Sequence, residues 1–208
     1  MKTLLFQGDS ITDCGRTGFP DKDDHMGLGY PRFIAAQLLG DQPEKDWKIF
    51  NRGISGNRVV DLYARWKLDT LNLNPDILSI LIGVNDTWHE KARQNGVEVP
   101  RFDKFYRELL DWTLQSNPNI KFVLMDPFVL TFGAVDETWL SEINERREVV
   151  RKIAEDYKTV FVPLQDIFNE AVKRAPQEYW LRDGVHPTPA GHRLIQKAWL
   201  EAAAELIK

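Results

Sequence analysis

Short runs of apolar and β-branched residues alternate along the chain with longer segments whose apolar residues recur at helical spacing. The short runs predict strands at residues 3–7, 48–51, 77–82, 121–125 and 160–162. The longer segments predict helices at residues 30–39, 59–68, 102–116, 138–157, 165–174 and 188–207. This alternation favours an α/β fold, a three-layer αβα sandwich with a five-stranded parallel sheet in the middle. No linker, repeat or low-complexity stretch interrupts it, so we expect a single domain over residues 1–208.

The ends of the predicted strands indicate where a functional site would form. In doubly wound sheets, sites lie beyond the carboxyl ends of the strands, near the point where the strand order reverses. Ser10, Gly53 and Asn85 follow the first, second and third predicted strands. If the strand order is 2-1-3-4-5, the loops that carry these three residues meet at one crevice.

Composition and charge narrow the class of protein. The chain has 43% hydrophobic and 28% charged residues and a net charge of −4, which is typical of a soluble globular protein. No basic run suggests nucleic-acid binding, and no apolar run approaches the ~20 residues of a membrane span. Cys14 is the only cysteine, which fits a reducing compartment, so we expect a cytoplasmic protein. A homo-oligomer is compatible with this size, although the sequence indicates no interface.

Three polar residues from the two ends of the chain form a candidate catalytic set. A serine hydroxyl needs a base that takes its proton as it attacks. Ser10 follows the first strand, and His186 is the candidate base. Asp183 precedes His186 by one short loop and could fix its tautomer and stabilise the imidazolium. The order Ser, Asp, His also occurs in α/β-hydrolases, but their Gly-x-Ser-x-Gly motif is missing here.

A serine nucleophile also requires hydrogen-bond donors for the oxyanion of its tetrahedral intermediate. Gly53 follows the second strand, and its backbone N–H could approach the reacting carbon without hindrance from a Cβ atom. Asn85 follows the third strand and offers its side-chain amide. Together with the Ser10 N–H, these two groups predict an oxyanion hole of three donors.

Four motifs that span nearly the whole chain resemble the SGNH (GDSL-type) hydrolase family. The matching positions are Gly8-Asp9-Ser10, Gly53, Gly83-Val84-Asn85-Asp86 and Asp183-Gly184-Val185-His186. The resemblance implies the flavodoxin-like SGNH hydrolase fold, esterase chemistry without a cofactor, and a small-molecule ester substrate. Residues 8–16 and 53–57, with Ala64-Arg65-Trp66, are similar to the branch of intracellular acetyl esterases that act on xylan-derived oligosaccharides. That similarity implies an acetylated sugar as substrate.

Several residues near these motifs have open roles. Asp9, Trp88 and Trp180 are tentative substrate-binding residues, because aromatic rings can stack on sugars and Asp9 adjoins the nucleophile. Packing or loop orientation is the alternative for each. Residues 21–25 crowd carboxylates with an imidazole, but ligands so close together usually form a solvated loop, so we expect no metal. We expect Cys14 to be a packing residue and His192 a surface or capping residue.

Two other functions remain open at this point. The same catalytic residues could serve a lysophospholipase or thioesterase that cleaves longer acyl chains, because the intervening loops set the depth of the pocket. A non-catalytic carbohydrate-binding protein could keep the fold, although no candidate catalytic position is replaced. Nucleotide binding has little support, since neither a Gly-x-Gly-x-x-Gly nor a Walker-type motif follows a strand.

Overall fold

One parallel sheet organises the protein in the computed structural model, which describes residues 2–16 and 25–208. Its strands are β1 (Lys2–Gly8), β2 (Trp47–Asn51), β3 (Ile77–Leu81), β4 (Lys121–Met125) and β5 (Val160–Val162). Their order is β2-β1-β3-β4-β5, and every neighbouring pair is parallel. Both the predicted strands and the 2-1-3-4-5 order are confirmed. The order reverses between β1 and β3, so the loops after these strands flank a crevice.

Helices cover both faces of the sheet. The described residues form helices α1 (Ser10–Asp13), α2 (Tyr30–Asp41), α3 (Val59–Asp69), α4 (Val84–Arg93), α5 (Val99–Ser116), α6 (Leu140–Asp156), α7 (Leu164–Ala171), α8 (Gln177–Trp180), α9 (Pro189–Ala202) and α10 (Ala204–Ile207). Three short 3₁₀ turns lie at Pro43–Lys45, Leu71–Leu73 and Glu137–Trp139. Helices α3, α5 and α6 pack together over one face, while α2, α7 and α9 pack over the other. None of these helices combines the length and the apolar character needed to cross a membrane.

The apolar strands follow from burial on both faces of the sheet. Along β1, Leu4 and Phe6 point into the core under α2 and α9, while Leu5 points into the core under α3 and α5. The same alternation continues in β3 and β4, so nearly every strand residue is apolar. Trp199 of α9 is fully buried and donates its indole N–H to the Ser79 hydroxyl at 2.9 Å.

The structure contains helices that the hydrophobic pattern does not predict. Helix α4 begins directly after Gly83, whose φ of +131° suits glycine, and its first turn buries Asn85, Asp86 and Thr87. These polar residues hide the helical pattern, because the pattern identifies buried positions by apolar side chains. The four-residue helices α1 and α8 are too short to show a period. The predicted last helix is divided, since α9 ends at Ala202.

Candidate active site

The Ser10 hydroxyl lies on the sharp turn between β1 and α1. Asp9 caps α1 by accepting a hydrogen bond from the Ile11 N–H at 3.0 Å, which makes Ser10 the first residue of the helix. The first N–H of a helix has no acceptor within the helix, and among the described residues the Ser10 N–H meets no other acceptor. The turn thus presents the hydroxyl and the N–H of one residue at the carboxyl end of β1, beside the point where the strand order reverses.

The loop between α8 and α9 brings His186 to Ser10. His186 Nε2 lies 2.9 Å from Ser10 Oγ, and His186 Nδ1 lies 2.7 Å from Asp183 Oδ2. Because an ionised carboxylate only accepts hydrogen bonds, we assign the ring hydrogen to Nδ1. The lone pair of Nε2 then faces the serine hydroxyl. This arrangement can take a proton from Ser10 and hold it while Oγ forms a bond to an ester carbon.

Backbone contacts hold the carboxylate of Asp183 in place. Its Oδ1 accepts the N–H groups of Val185 and His186 at 3.0 and 2.8 Å. The Arg182 N–H donates to the His186 carbonyl oxygen at 2.8 Å, which closes the loop on itself. Burial alone raises the pKa of Asp183, but the hydrogen bonds from His186 and Val185 leave that pKa below its ordinary value. Asp183 is therefore ionised wherever His186 needs an acceptor.

The predicted oxyanion donors differ in whether their N–H groups already have a hydrogen-bond acceptor in the protein. Asn85 is buried, and its side-chain amide donates to the Asn57 carbonyl oxygen at 3.1 Å. An amide has two N–H groups, so this bond orients the Asn85 side chain and leaves a second donor. The structure therefore places both Asn85 and the Ser10 N–H in states that can bind an oxyanion.

The structure corrects the prediction for Gly53. Its N–H already donates to the Asn51 side-chain oxygen at 2.9 Å, and Gly53 itself is buried. A Cβ atom at this position would collide with the backbone nitrogen of Asp13, so the glycine is explained by the close packing of two loops. Because the N–H is occupied, Gly53 does not offer a free oxyanion donor.

Gly56, three positions further along the same loop, fits the donor role better. Its φ of +84° suits glycine, and a Cβ atom there would meet open space. Ser55 beside it is fixed to Asp13 Oδ2 through its N–H and its hydroxyl, at 2.9 and 2.6 Å. Within the described ranges, the Gly56 N–H has no hydrogen-bond partner. The Ser55-Gly56 pair carries a turn signal, but the sequence alone does not rank it above Gly53.

The three tentative substrate-binding residues have different surroundings. Asp9 is 1% exposed and caps α1, so the structure contradicts a direct contact with substrate. Trp180 is 7% exposed, belongs to the core, and donates its indole N–H to the Ala175 carbonyl oxygen, so it offers no face to a sugar. Trp88 is half-buried, and its ring centroid lies 5.7 Å from that of His186. Of the three, only Trp88 has a partly exposed side chain beside a candidate catalytic residue.

Asp9 and Asp86 form a pair of buried carboxylates behind the nucleophile. Burial is the main cause that raises the pKa of each to about 7, and for Asp9 the negative charge of Asp86 contributes to that rise. Both oxygens of Asp86 accept the Val59 N–H, at 3.1 and 3.3 Å, which ties the start of α3 to α4. Both carboxylates therefore accept backbone N–H groups, which for Asp9 agrees with loop orientation, the alternative to a contact with substrate.

The second histidine of the region, His192, is buried rather than on the surface. It is 3% exposed, and its Nδ1 accepts the Tyr30 N–H at 3.2 Å. Its Nε2 lies 3.3 Å from Cys14 Sγ, so the ring bridges α9, α2 and the end of α1. Burial, with smaller contributions from the charges of Arg182 and His186, lowers the pKa of His192 to about 4. The expected surface role of His192 was therefore wrong.

An open cleft of about 580 Å³ leads to the candidate nucleophile. Its walls are formed by Ser10, Cys14, Gly15, Leu28, Arg182, Asp183, His186, Pro187, Pro189 and His192. The polar segment of residues 12–29 follows the nucleophile turn and is, from its sequence, a candidate wall or lid of the pocket, but residues 17–24 of it lie outside the described residues. The same holds for most of the acidic cluster at residues 21–25. Elsewhere in the described chain, no three His, Cys, Asp or Glu side chains converge as metal ligands do.

A Ser–His–Asp relay at the carboxyl end of a doubly wound parallel sheet is the arrangement of a serine hydrolase. Comparisons with known proteins agree with this class. Residues 6–194 match the GDSL-like Lipase/Acylhydrolase family, and the chain belongs to this family, whose members are also called SGNH hydrolases. It is accordingly a carboxylic ester hydrolase.

Individual relatives cover almost the full chain. An acetylxylan esterase from Geobacillus stearothermophilus is 36% identical over 205 residues, which cover 95% of this chain and 91% of that protein. The crystal structure of a GDSL-like lipase from Parabacteroides merdae has a TM-score of 0.92 and 43% identity, and covers 100% of this chain and 96% of its own. The structure of Axe2, the acetylxylan esterase from G. stearothermophilus, has a TM-score of 0.85 and 34% identity, with coverage of 97% and 93%.

Proposed function

We propose that this protein is a serine esterase that removes acetyl groups from carbohydrates, in particular from acetylated xylo-oligosaccharides. The observation that carries the proposal is the continuous relay of Ser10 Oγ, His186 Nε2, His186 Nδ1 and Asp183 Oδ2, with contacts of 2.9 and 2.7 Å. The substrate class comes from the likeness to the acetylxylan esterases. One domain over residues 1–208 is part of the proposal, because both core clusters pack on the same sheet.

The first half of the reaction transfers the acetyl group to the enzyme. Ser10 Oγ attacks the acetyl carbonyl carbon as its proton moves to His186 Nε2, and Asp183 stabilises the resulting imidazolium. The carbonyl oxygen becomes an oxyanion, which accepts hydrogen bonds from the Ser10 N–H and the Asn85 amide. When the intermediate collapses, the bond to the sugar oxygen breaks and His186 donates its proton to that oxygen. The sugar leaves with a free hydroxyl, and Ser10 carries the acetyl group.

The second half restores the serine. A water molecule gives a proton to His186 Nε2 and attacks the acetyl carbon. The new oxyanion uses the same donors, and its collapse breaks the bond to Ser10 Oγ, which takes the proton back from His186. Acetate is released. We propose the Gly56 N–H as the third oxyanion donor in place of Gly53, because the Gly53 N–H is bonded to Asn51.

The direct test is acetate release from acetylated xylo-oligosaccharides by the purified protein and its Ser10→Ala variant. We expect the wild type to release acetate and Ser10→Ala to lose activity by about 10⁴-fold or more. Ser116→Ala is a matched control, since the Ser116 hydroxyl donates only to the Trp112 carbonyl oxygen at the end of α5. Equal release by wild type and Ser10→Ala would contradict the proposed nucleophile.

The acyl length of the esters that the protein hydrolyses distinguishes the proposed acetyl esterase from a long-chain acyl hydrolase. Hydrolysis of long-chain acyl esters by the wild type, with no release of acetate from the oligosaccharides, would contradict a carbohydrate acetyl esterase. That result would favour a lysophospholipase or thioesterase activity at the same relay. The cytoplasmic location and a homo-oligomeric state stay predictions from composition and size, as does the absence of nucleic-acid partners.

A further inference from the structure

Trp88 stands beside the catalytic relay without lining the main cleft. It follows Asn85 by three positions on α4, so the two side chains project from the same face of the helix. The Trp88 ring centroid lies 5.7 Å from that of His186, at an interplanar angle of 51°. Trp139, which is 4% exposed, packs its ring against Trp88 at 5.4 Å and 74°. The indole of Trp88 is therefore held between the candidate base and a buried ring.

The proposed reaction fixes the direction of each group on the ester carbon. The carbonyl oxygen points to the Asn85 amide and the Ser10 N–H, and the leaving oxygen must lie within reach of His186 Nε2. The sugar is the largest group and needs open space beside the relay, which the cleft of about 580 Å³ along Leu28, Arg182 and Pro189 provides. With the sugar in that cleft, the acyl group would be directed away from it, and Trp88 contacts His186 without lining the cleft.

We propose that Trp88 is the wall of the acyl side and restricts the enzyme to short acyl groups, rather than serving as a stacking platform for the sugar. This inference rests on the proposed function, because it assumes the relay and its oxyanion donors. A methyl group needs little room beside the indole. A longer chain has to displace a ring that Trp139 supports from behind. A misfit of one methylene in such a pocket changes kcat/KM by about 10- to 200-fold.

The test compares acetate, butyrate and hexanoate esters of 4-nitrophenol in the wild type and in Trp88→Ala. We expect the wild type to prefer acetate, and Trp88→Ala to raise the butyrate-to-acetate ratio of kcat/KM by about tenfold or more. Trp112→Ala is the matched control, because Trp112 is also half-buried but lies on α5 against Tyr63. Its ratio should equal that of the wild type. If Trp88→Ala fails to fold, Trp88→Leu keeps an apolar side chain and should shift the ratio in the same direction.

A second readout separates an acyl wall from a sugar platform. If Trp88 contacts only the acyl group, the KM of Trp88→Ala for acetylated xylo-oligosaccharides should stay within about twofold of the wild-type value, because no contact with the sugar is lost. If Trp88 instead stacks on the sugar, loss of that contact should raise the KM by about tenfold or more. An unchanged acyl ratio in a folded Trp88→Ala protein would overturn the inference, and so would a tenfold rise in that KM. Either result leaves the proposed function intact as long as the wild type releases acetate. A wild type that prefers hexanoate contradicts the proposed function itself.

Discussion

His186 and His192 lie on the wall of the same cleft, and their surroundings give the two imidazoles opposite properties. His186 Nδ1 meets the carboxylate of Asp183 at 2.7 Å, so its Nε2 keeps a lone pair that faces Ser10. His192 Nδ1 instead accepts the Tyr30 N–H, so its ring hydrogen lies on Nε2 and points to Cys14. The lone pair of His186 faces the nucleophile and can take its proton, whereas the lone pair of His192 is occupied by the Tyr30 N–H.

Exposure strengthens the contrast between the two rings. The His186 side chain is 36% exposed and borders an open cleft, so an ester and a water molecule can reach it. His192 is 3% exposed, and burial lowers its pKa to about 4. A buried neutral imidazole that joins three elements is a packing residue. The comparison shows that the partner of Nδ1, rather than the residue type or its place in the cleft, decides which histidine can be a base.

The largest expected effect is the loss of activity on substitution of His186, compared with substitution of His192. His186→Asn should lower kcat/KM for an acetyl ester by about 10⁴- to 10⁶-fold, because Ser10 loses its base. His192→Asn should lower it by less than about tenfold, because an amide oxygen can still accept the Tyr30 N–H. Initial rates at neutral pH measure both. Similar losses in the two variants would remove the distinction drawn between the rings.

Asp183→Asn changes the partner of His186 Nδ1, which is the contact that distinguishes His186 from His192. An amide in place of the carboxylate can turn its NH₂ group toward the ring, which favours the tautomer with the hydrogen on Nε2. His186 would then resemble His192, and we expect kcat to fall by about 10⁴-fold. Asp41→Asn on the surface of α2 is the matched control for the change of charge. Activity near the wild-type level in Asp183→Asn would show that the carboxylate does not set the tautomer.

Asn85→Ala changes the site without touching either histidine. The variant removes one oxyanion donor, so kcat should fall by about 10²- to 10³-fold, which is less than the loss expected for His186→Asn. KM should change little, because the donor acts on the charge that develops in the transition state. Asn119→Ala, at an exposed turn, controls for the loss of an amide. A rise in KM with an unchanged kcat would assign Asn85 to substrate binding instead.

The smallest effect concerns the pH dependence of stability, and of the two histidines it involves His192. The pKa of His192 is about 4 in the folded protein and ordinarily about 6.5, so the unfolded chain binds more protons between these values. Stability therefore falls as the pH drops through this window, by up to about 3 kcal/mol for this group. Burial raises the pKa of Asp9, Asp86 and Asp126, and these groups act in the opposite direction over the same window.

The difference between wild type and His192→Asn isolates the histidine from those carboxylates. The melting temperature of the wild type, relative to that of His192→Asn, should fall between pH 6.5 and pH 4. Differential scanning fluorimetry across that range measures it. A constant difference between the two proteins would mean that His192 is not held neutral by burial.

The relay and its sheet could be predicted from the sequence because their signals are local. Apolar runs define strands that are buried on both faces, and the residues after them occupy the crevice whatever the details of the loops. Gly53 and Gly56 show where this reasoning ends. Both are glycines in one loop, and only the structure reveals that Asn51 occupies the N–H of Gly53. That bond spans only two residues, but the Asn51 side chain is oriented by donating to the carbonyl oxygens of Thr12 and Met26, which lie far away in the sequence. No spacing in the sequence records those contacts.

The roles of the aromatic and histidine side chains had to come from tertiary packing. Trp88 and Trp180 both adjoin a catalytic motif in the sequence, yet one contacts His186 and the other is buried in the core. Trp139, which supports Trp88, carries no sequence signal, since it lies far from every motif. His192 follows a glycine at a helix start, a position that predicts capping, but α2 and α1 close over it. Burial of a single side chain depends on which helices pack together.

Labelling by a fluorophosphonate, which reacts with activated serines, tests the central claim most directly. Mass spectrometry of the labelled protein should place the adduct on Ser10 in the wild type and in His192→Asn. The His186→Asn protein should remain unlabelled over the same time, because Ser10 has lost its base. An adduct on another residue, or labelling of His186→Asn at the wild-type rate, would contradict the relay of Ser10, His186 and Asp183.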